Sequence, residues 1–139
     1  MDKQSQLSSL ISDYIGKLVV GYAKMNDLSA SQLYILKLLG TEGDKNCSEI
    51  AKKLDISLSA VTNLVNKLAK KRYVDRTIPA HNRRMVMLQI TEKGMEKLNE
   101  SDSKFMEVTN QLITDLSDEE LDMLIRVYEK FHVNYQIND

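Results

Sequence analysis

Between residues 4 and 24, Leu7, Leu10, Ile11, Tyr14, Ile15, Leu18, Val19 and Tyr22 recur at i, i+3, i+4, i+7 spacing. That rhythm puts one apolar stripe along a helix of about six turns. Ser29-Ala30-Ser31-Gln32 has the form of a capping box, in which a serine oxygen and a glutamine side chain serve the first free amides of a second helix. Two glycines, Gly40 and Gly43, break this helix. Ser48 is expected to cap a short third helix over residues 49–54, and Asp55-Ile56 to form a tight turn. Ser57 then caps a fourth helix reaching about residue 71. Two strand-like segments follow over residues 73–78 and 85–90, the second alternating Val86, Leu88 and Ile90 with Met87 and Gln89. Thr91 opens a long helix running through Leu98, Phe105, Met106, Leu112, Ile113 and Leu116. A second capping box, Ser117-Asp118-Glu119-Glu120, starts a last helix carrying Leu121, Leu124, Ile125, Tyr128 and Phe131. The order is α-α-α-α-β-β-α-α. It predicts a mainly helical fold with a small β-hairpin wing, in one continuous unit.

At 139 residues, 42% of them apolar, the chain has material for one well-packed domain. No apolar run approaches the roughly 18–20 residues that span a membrane, and the polar start Met1-Asp2-Lys3-Gln4 is unlike a signal core. A cytoplasmic protein without a membrane partner is therefore expected. One cysteine, Cys47, cannot form an internal disulfide, and two histidines without a cysteine pair are too few for a structural zinc site. No metal or cofactor is expected.

The net charge of −1 conceals a strong asymmetry. Residues 44–97 hold twelve lysines and arginines against six carboxylates, a surplus of six positive charges. The remainder holds seven against fourteen, a deficit of seven. A phosphate-binding surface needs local positive potential, and salt screens the acidic remainder beyond about 8–10 Å.

The basic segment contains the short third helix, the tight turn and the fourth helix, in helix-turn-helix proportions. At 100° per residue, Val61, Leu64, Val65 and Leu68 share one side of the fourth helix, which must face the core. Ser59, Asn63, Asn66 and Lys70 occupy the opposite side, flanked by Thr62 and Lys67, with Ser57 and Ala60 at its start. Short amides and hydroxyls suit base edges, and lysines in the later turns suit phosphates. Taken alone, this is also the solvated side of any amphipathic helix. The link between the strands holds the only proline, Pro79, followed by Ala80, His81, Asn82, Arg83 and Arg84. An arginine pair in a loop is ordinarily just solvated. On a stiff ribbon beside a recognition helix, however, its guanidiniums can reach flanking phosphates or a narrow minor groove. Arg76 at the foot of the ribbon is a candidate phosphate contact.

Leu28-Ser29-Ala30-Ser31-Gln32, Ser48-Glu49-Ile50-Ala51, Leu54-Asp55-Ile56-Ser57 and the run from Ala60 to Leu68 resemble the MarR (multiple antibiotic resistance regulator) family. So do Tyr73-Val74-Asp75-Arg76, Arg83-Arg84 and Thr91-Glu92-Lys93-Gly94. The resemblance implies a winged helix-turn-helix regulator of transcription. It implies a homodimer whose first and last two helices intertwine, a fourth helix in the major groove and Arg84 at the wing tip. It further implies a small phenolic or lipophilic effector between the dimer and DNA-binding regions. Three positions depart from the family pattern. Asn82 stands where an aspartate usually steadies the wing arginine, and Arg72 takes the usual glycine position before the first strand. Cys47 lies beside the third helix, whereas oxidant-sensing relatives carry theirs in the first.

Residues 1–28 and 98–139 are thus expected to dimerise, because their stripes are too wide for one copy to cover, and residues 29–97 to bind double-stranded DNA. Tyr14, Leu18, Tyr22 and Tyr34 are candidates to border an effector pocket, although packing is the commoner role of tyrosines on apolar helical faces. Cys47 has the ordinary character of a small core residue. Catalysis finds no support, since no nucleophile–base pair and no Gly-rich phosphate loop is present. The remaining alternative is a helix-turn-helix domain turned protein-interaction module or antirepressor that does not itself read DNA.

Overall fold

The computed structural model describes residues 2–135. It contains α1 (Lys3–Met25), α2 (Ala30–Glu42), α3 (Cys47–Leu54), α4 (Leu58–Lys70), β1 (Val74–Thr77), β2 (Met87–Ile90), α5 (Glu92–Ile113) and α6 (Asp118–Asn134). This is the mainly helical, hairpin-bearing order that the hydrophobic pattern predicts.

Caps determine most of the boundaries. Ser29 and Gln32 form the reciprocal box at α2, and Ser117 and Glu120 form the one at α6. Thr91 Oγ1 accepts the Gly94 amide at 2.9 Å to start α5. At α3 the expectation is corrected, because Asn46 rather than Ser48 is the cap. Asn46 Oδ1 accepts the Glu49 amide at 2.8 Å, and the Glu49 carboxylate accepts the Asn46 amide at 3.2 Å. A box needs a returning side chain three residues on; Asn46 has Glu49 there, while Ser48 has only Ala51.

The core lies inside the winged unit. Ile35 and Leu36 of α2, Ile50 of α3, Val61, Val65 and Leu68 of α4, Val74 of β1 and Leu88 of β2 are all fully buried, and Leu98 of α5 joins them. In contrast, α1 and α6 contain no buried residue. Leu10 is 60% exposed on α1, Met106 63% on α5 and Tyr128 58% on α6.

The wing is an antiparallel pair with Val74 opposite Ile90, Asp75 opposite Gln89, Arg76 opposite Leu88 and Thr77 opposite Met87. Both strands are shorter than the alternation predicts. Pro79 and Asn82 turn the chain instead, the Pro79 carbonyl accepting the Asn82 amide and the Asn82 carbonyl the Met85 amide, each at 3.2 Å. Residues 78–86 are therefore loop. A further pairing goes unannounced by the sequence: Lys45 exchanges both backbone bonds with Leu88, at 3.2 and 2.8 Å. This short third segment occupies the outer edge of β2, where an unpaired ladder would otherwise be open.

Between α4 and β1 the chain reverses at Arg72, whose φ of 65° lies in the left-handed region. A glycine would adopt this conformation without strain. Two bonds hold it, one from Thr91 Oγ1 to the Arg72 carbonyl at 2.7 Å and one from the Tyr73 amide to the Leu68 carbonyl at 3.0 Å. Close by, Gly94 lets the first turn of α5 press against the Tyr73 backbone. A Cβ there would be driven into the Tyr73 carbonyl and lie 2.8 Å from Ile90 Cγ1. Gly94→Ala is expected to cost about 1–3 kcal/mol through this overpacking, measured by equilibrium urea unfolding. Wild-type stability in the variant would show that the approach is looser than described.

Candidate nucleic-acid interface

Burial of Val61, Val65 and Leu68 settles the rotation of α4 and turns its other side to solvent. Ser57, Ser59, Thr62, Asn63, Asn66, Lys67 and Lys70 are all exposed, and Ala60 is half-buried. Their polar groups differ in how free they are. Ser57 Oγ accepts the Ala60 amide at 3.0 Å, so this hydroxyl is already committed to capping. Thr62 Oγ1 donates to the Leu58 carbonyl at 2.9 Å, leaving its methyl group and lone pairs for a partner. Among the described residues, the Asn63 amide makes no side-chain hydrogen bond. It can therefore offer both a donor and an acceptor.

Asn66 is different. Its Oδ1 accepts a hydrogen bond from Arg76 Nη2, which ties α4 to β1. With one lone pair of its oxygen engaged, Asn66 keeps both N–H donors and a second lone pair, and Arg76 fixes the direction in which the amide presents them. Arg76, expected from the sequence to stand at the foot of the ribbon, is thus joined to the helical surface. Its remaining N–H groups are held in a defined direction.

His81, Asn82, Arg83 and Arg84 are exposed on the loop over residues 78–86, and no hydrogen bond joins them to α4 among the described residues. Asn82 Oδ1 accepts the Arg84 backbone amide at 3.1 Å. The asparagine therefore shapes the turn rather than gripping the guanidinium.

Ile56 and Leu58, 38% and 52% exposed, lie beside Ser57 at the leading edge of the same surface. Periodicity hides Leu58, because it points along the Val61–Val65 direction, yet the core ends before reaching it. Apolar groups at this edge can meet a thymine methyl.

The other end of α4 is anchored. Lys71 Nζ bonds Asp27 Oδ2 at 2.9 Å, and Lys97 Nζ bonds Asp27 Oδ1 at 2.6 Å. Lys97, then Lys71, hold the Asp27 carboxyl well below the usual carboxylate range. A depressed carboxyl stabilises the fold above its unfolded pKa and loses that effect only as pH falls through the folded value. This clasp is complete at neutral pH.

A groove of about 510 Å³ lies between α1 and the start of α2, lined by Leu18, Tyr22, Asn26, Asp27, Leu28 and Phe105. A smaller one of about 230 Å³ adjoins it past Tyr22, with Tyr34 and Leu98. Of the candidate pocket residues, Leu18, Tyr22 and Tyr34 line these grooves, whereas Tyr14 lines neither. The Tyr22 hydroxyl shares a hydrogen bond with Ser101 Oγ at 3.2 Å. Asn26 Oδ1 is buried at the edge of the larger groove and has no hydrogen-bond partner among the described residues. Cys47 packs half-buried against the core. Among the described residues no cluster of histidine, cysteine and carboxylate side chains could hold a metal ion, and no helix is long and apolar enough to cross a membrane.

The family model described as MarR matches residues 28–86, from the start of α2 to the end of the wing loop. The chain is 30% identical to the uncharacterized HTH-type transcriptional regulator YpoP of Bacillus subtilis, covering 75% of this chain and 74% of that one. It is 27% identical to the HTH-type transcriptional regulator MhqR of the same organism, covering 89% and 83%. A solved MarR family protein from Bacillus stearothermophilus superposes with a TM-score of 0.81 at 22% identity, over 96% of this chain and 97% of that one.

The Asn66–Arg76 bond has a measurable consequence. Asn66→Ala and Arg76→Ala should each lower stability by about 0.5–1.5 kcal/mol, and the double variant by no more than either alone. A double-mutant cycle in urea checks this, and strict additivity would mean the two side chains act separately.

Proposed function

The chain belongs to the MarR family of transcriptional regulators, and from that premise we propose that it binds a pseudo-palindromic operator as a homodimer and represses transcription. Regulators of this family bind DNA and are not enzymes. In the proposed complex α4 enters the major groove, with Ser59, Thr62, Asn63 and Asn66 at base edges and Ser57, Ala60, Lys67 and Lys70 beside the backbone. Arg76 takes a phosphate at the foot of the wing. His81, Asn82, Arg83 and Arg84 reach the flanking backbone or minor groove. The observation that supports this reading is the bond from Arg76 to Asn66, which joins the exposed polar side of α4 to the first strand of the wing.

Dimerisation falls to residues 1–28 and 98–139. Leu7, Leu10, Ile15 and Val19 on α1, Met106 and Leu112 on α5, and Ile125 and Tyr128 on α6 are each at least half exposed. Exposed apolar side chains in this number are stable in water when a second copy covers them. Two recognition helices about one DNA turn apart, roughly 34–36 Å, correspond to half-sites centred about 10 bp apart. A small lipophilic or phenolic effector fits the groove beside Leu18 and Tyr22, where it would release the DNA. An interaction module that leaves DNA unread is not favoured, because it has no use for a base-sized polar face flanked by five exposed cations, Lys67, Lys70, Arg76, Arg83 and Arg84.

Sedimentation at micromolar concentration should give a dimer, and a monomer would remove the proposed assembly. With a duplex selected from a random-sequence pool, Asn63→Ala should cost about 1–3 kcal/mol of binding and change base preference at one position. Arg84→Ala should weaken all duplexes alike and reduce the salt slope by about one. Fluorescence anisotropy across a salt series checks both, and wild-type behaviour of the two variants would refute the assignment of this surface.

A further inference from the structure

We propose that Asp27 is a positioning residue for DNA recognition: through Lys71 it ties the C-terminal end of α4 to the junction of α1 and α2, so that the dimerisation helices aim the recognition helix. The proposal rests on the DNA-binding reading above and adds a connection which that reading does not supply.

Three side-chain bonds hold the chain where α4 ends. Lys93 Nζ donates to the Lys71 carbonyl at 3.0 Å, and Thr91 Oγ1 donates to the Arg72 carbonyl at 2.7 Å. Both of these come from the start of α5 and therefore lie within the winged unit. The third, Lys71 Nζ to Asp27 Oδ2, leaves that unit and reaches the base of α1. Asp27 is itself steadied, because Lys97 Nζ holds its other oxygen and the Lys97 side chain is only 12% exposed. One carboxylate thus divides its two oxygens between a lysine of α5 and Lys71, the residue that follows α4.

The lever is long enough to matter. Twelve residues separate Ser59 from Lys71, roughly 18 Å of helix. A tilt of about 5° at the Lys71 end moves the Ser59 end by about 1.5 Å, enough to break hydrogen bonds of ordinary length. Base contacts depend on that placement, whereas nonspecific attraction between lysines and phosphates does not. Asp27 also lines the larger groove with Tyr22 and Phe105. The same carboxylate therefore touches both the groove and the recognition helix.

The test uses the full chain, a duplex selected by wild type from a random pool, and a scrambled duplex of equal length and composition. Lys71→Gln is the main variant, since it leaves the Asp27–Lys97 bond intact and strips no half-buried ammonium of its partner. It should lower the ratio of selected to scrambled affinity by roughly two- to fivefold, with the scrambled affinity and the salt slope unchanged. Lys71→Arg should restore the ratio. Asp27→Asn should lower it similarly, and the double variant should do no worse than the poorer single one. A Lys71→Gln protein that loses affinity for both duplexes alike, with a flatter salt slope, would make Lys71 a phosphate contact and overturn the proposal. An unchanged ratio, or additive losses in the double variant, would overturn it too. If wild type selects no duplex, the DNA-binding reading fails by itself. Amide hydrogen exchange at residues 67–71 then decides the clasp: faster exchange in Lys71→Gln supports it, and unchanged exchange refutes it.

Discussion

The burial of Val61, Val65 and Leu68 is the constraint from which the rest of the molecule follows. These three side chains reach the centre of the core beside Ile35, Leu36, Ile50 and Leu88. Emptying such a position costs about 2–5 kcal/mol when a large side chain is truncated, a substantial share of a small domain's stability. An α-helix with one side held that firmly cannot rotate. Ser59, Asn63, Asn66 and Lys70 must then face water, and whatever chemistry they have is presented there without further strain. The same core takes in Val74 and Leu88, so the position of the hairpin beside α4 is set by the packing that sets the helix.

Where cations go matters more than their number. Lys71 is spent on Asp27, and Lys97 with it, whereas Lys70 beside Lys71 and Lys67 one turn earlier stay in solvent. Arg76 is shared with Asn66, while Arg83 and Arg84 are carried on a loop that Asn82 shapes through the backbone. Bonded cations orient the surface and free ones supply its potential. A net charge near zero is compatible with both roles, because the acidic remainder of the chain sits largely on α5 and α6.

Much of this was legible beforehand. The stripes of α1 and α4, the boxes at Ser29 and Ser117 and the cap at Ser57 all depend on residues within four positions of each other. The Asn46 cap is equally local, but Ser48 is as good a cap type and stands nearer the apolar run, so only the reciprocal Glu49 distinguishes the two. The strands were overextended because alternation continues past the point where Pro79 and Asn82 turn the chain. Leu58 escaped notice for a different reason: periodicity gives its direction but not where the core ends.

The sequence by itself determined the elements, their faces and their charge, since helix periodicity, capping and turn chemistry act over one or two turns of chain. Only the tertiary structure decided which polar groups on those faces are already engaged. Asn66 meets Arg76 ten residues on, Asp27 meets Lys71 forty-four residues on, and Lys45 pairs with Leu88 across two intervening helices. No local rule brings such partners together. They meet because the buried residues of α2, α3, α4 and the hairpin have one dense packing, and that packing brings the distant side chains within bonding range.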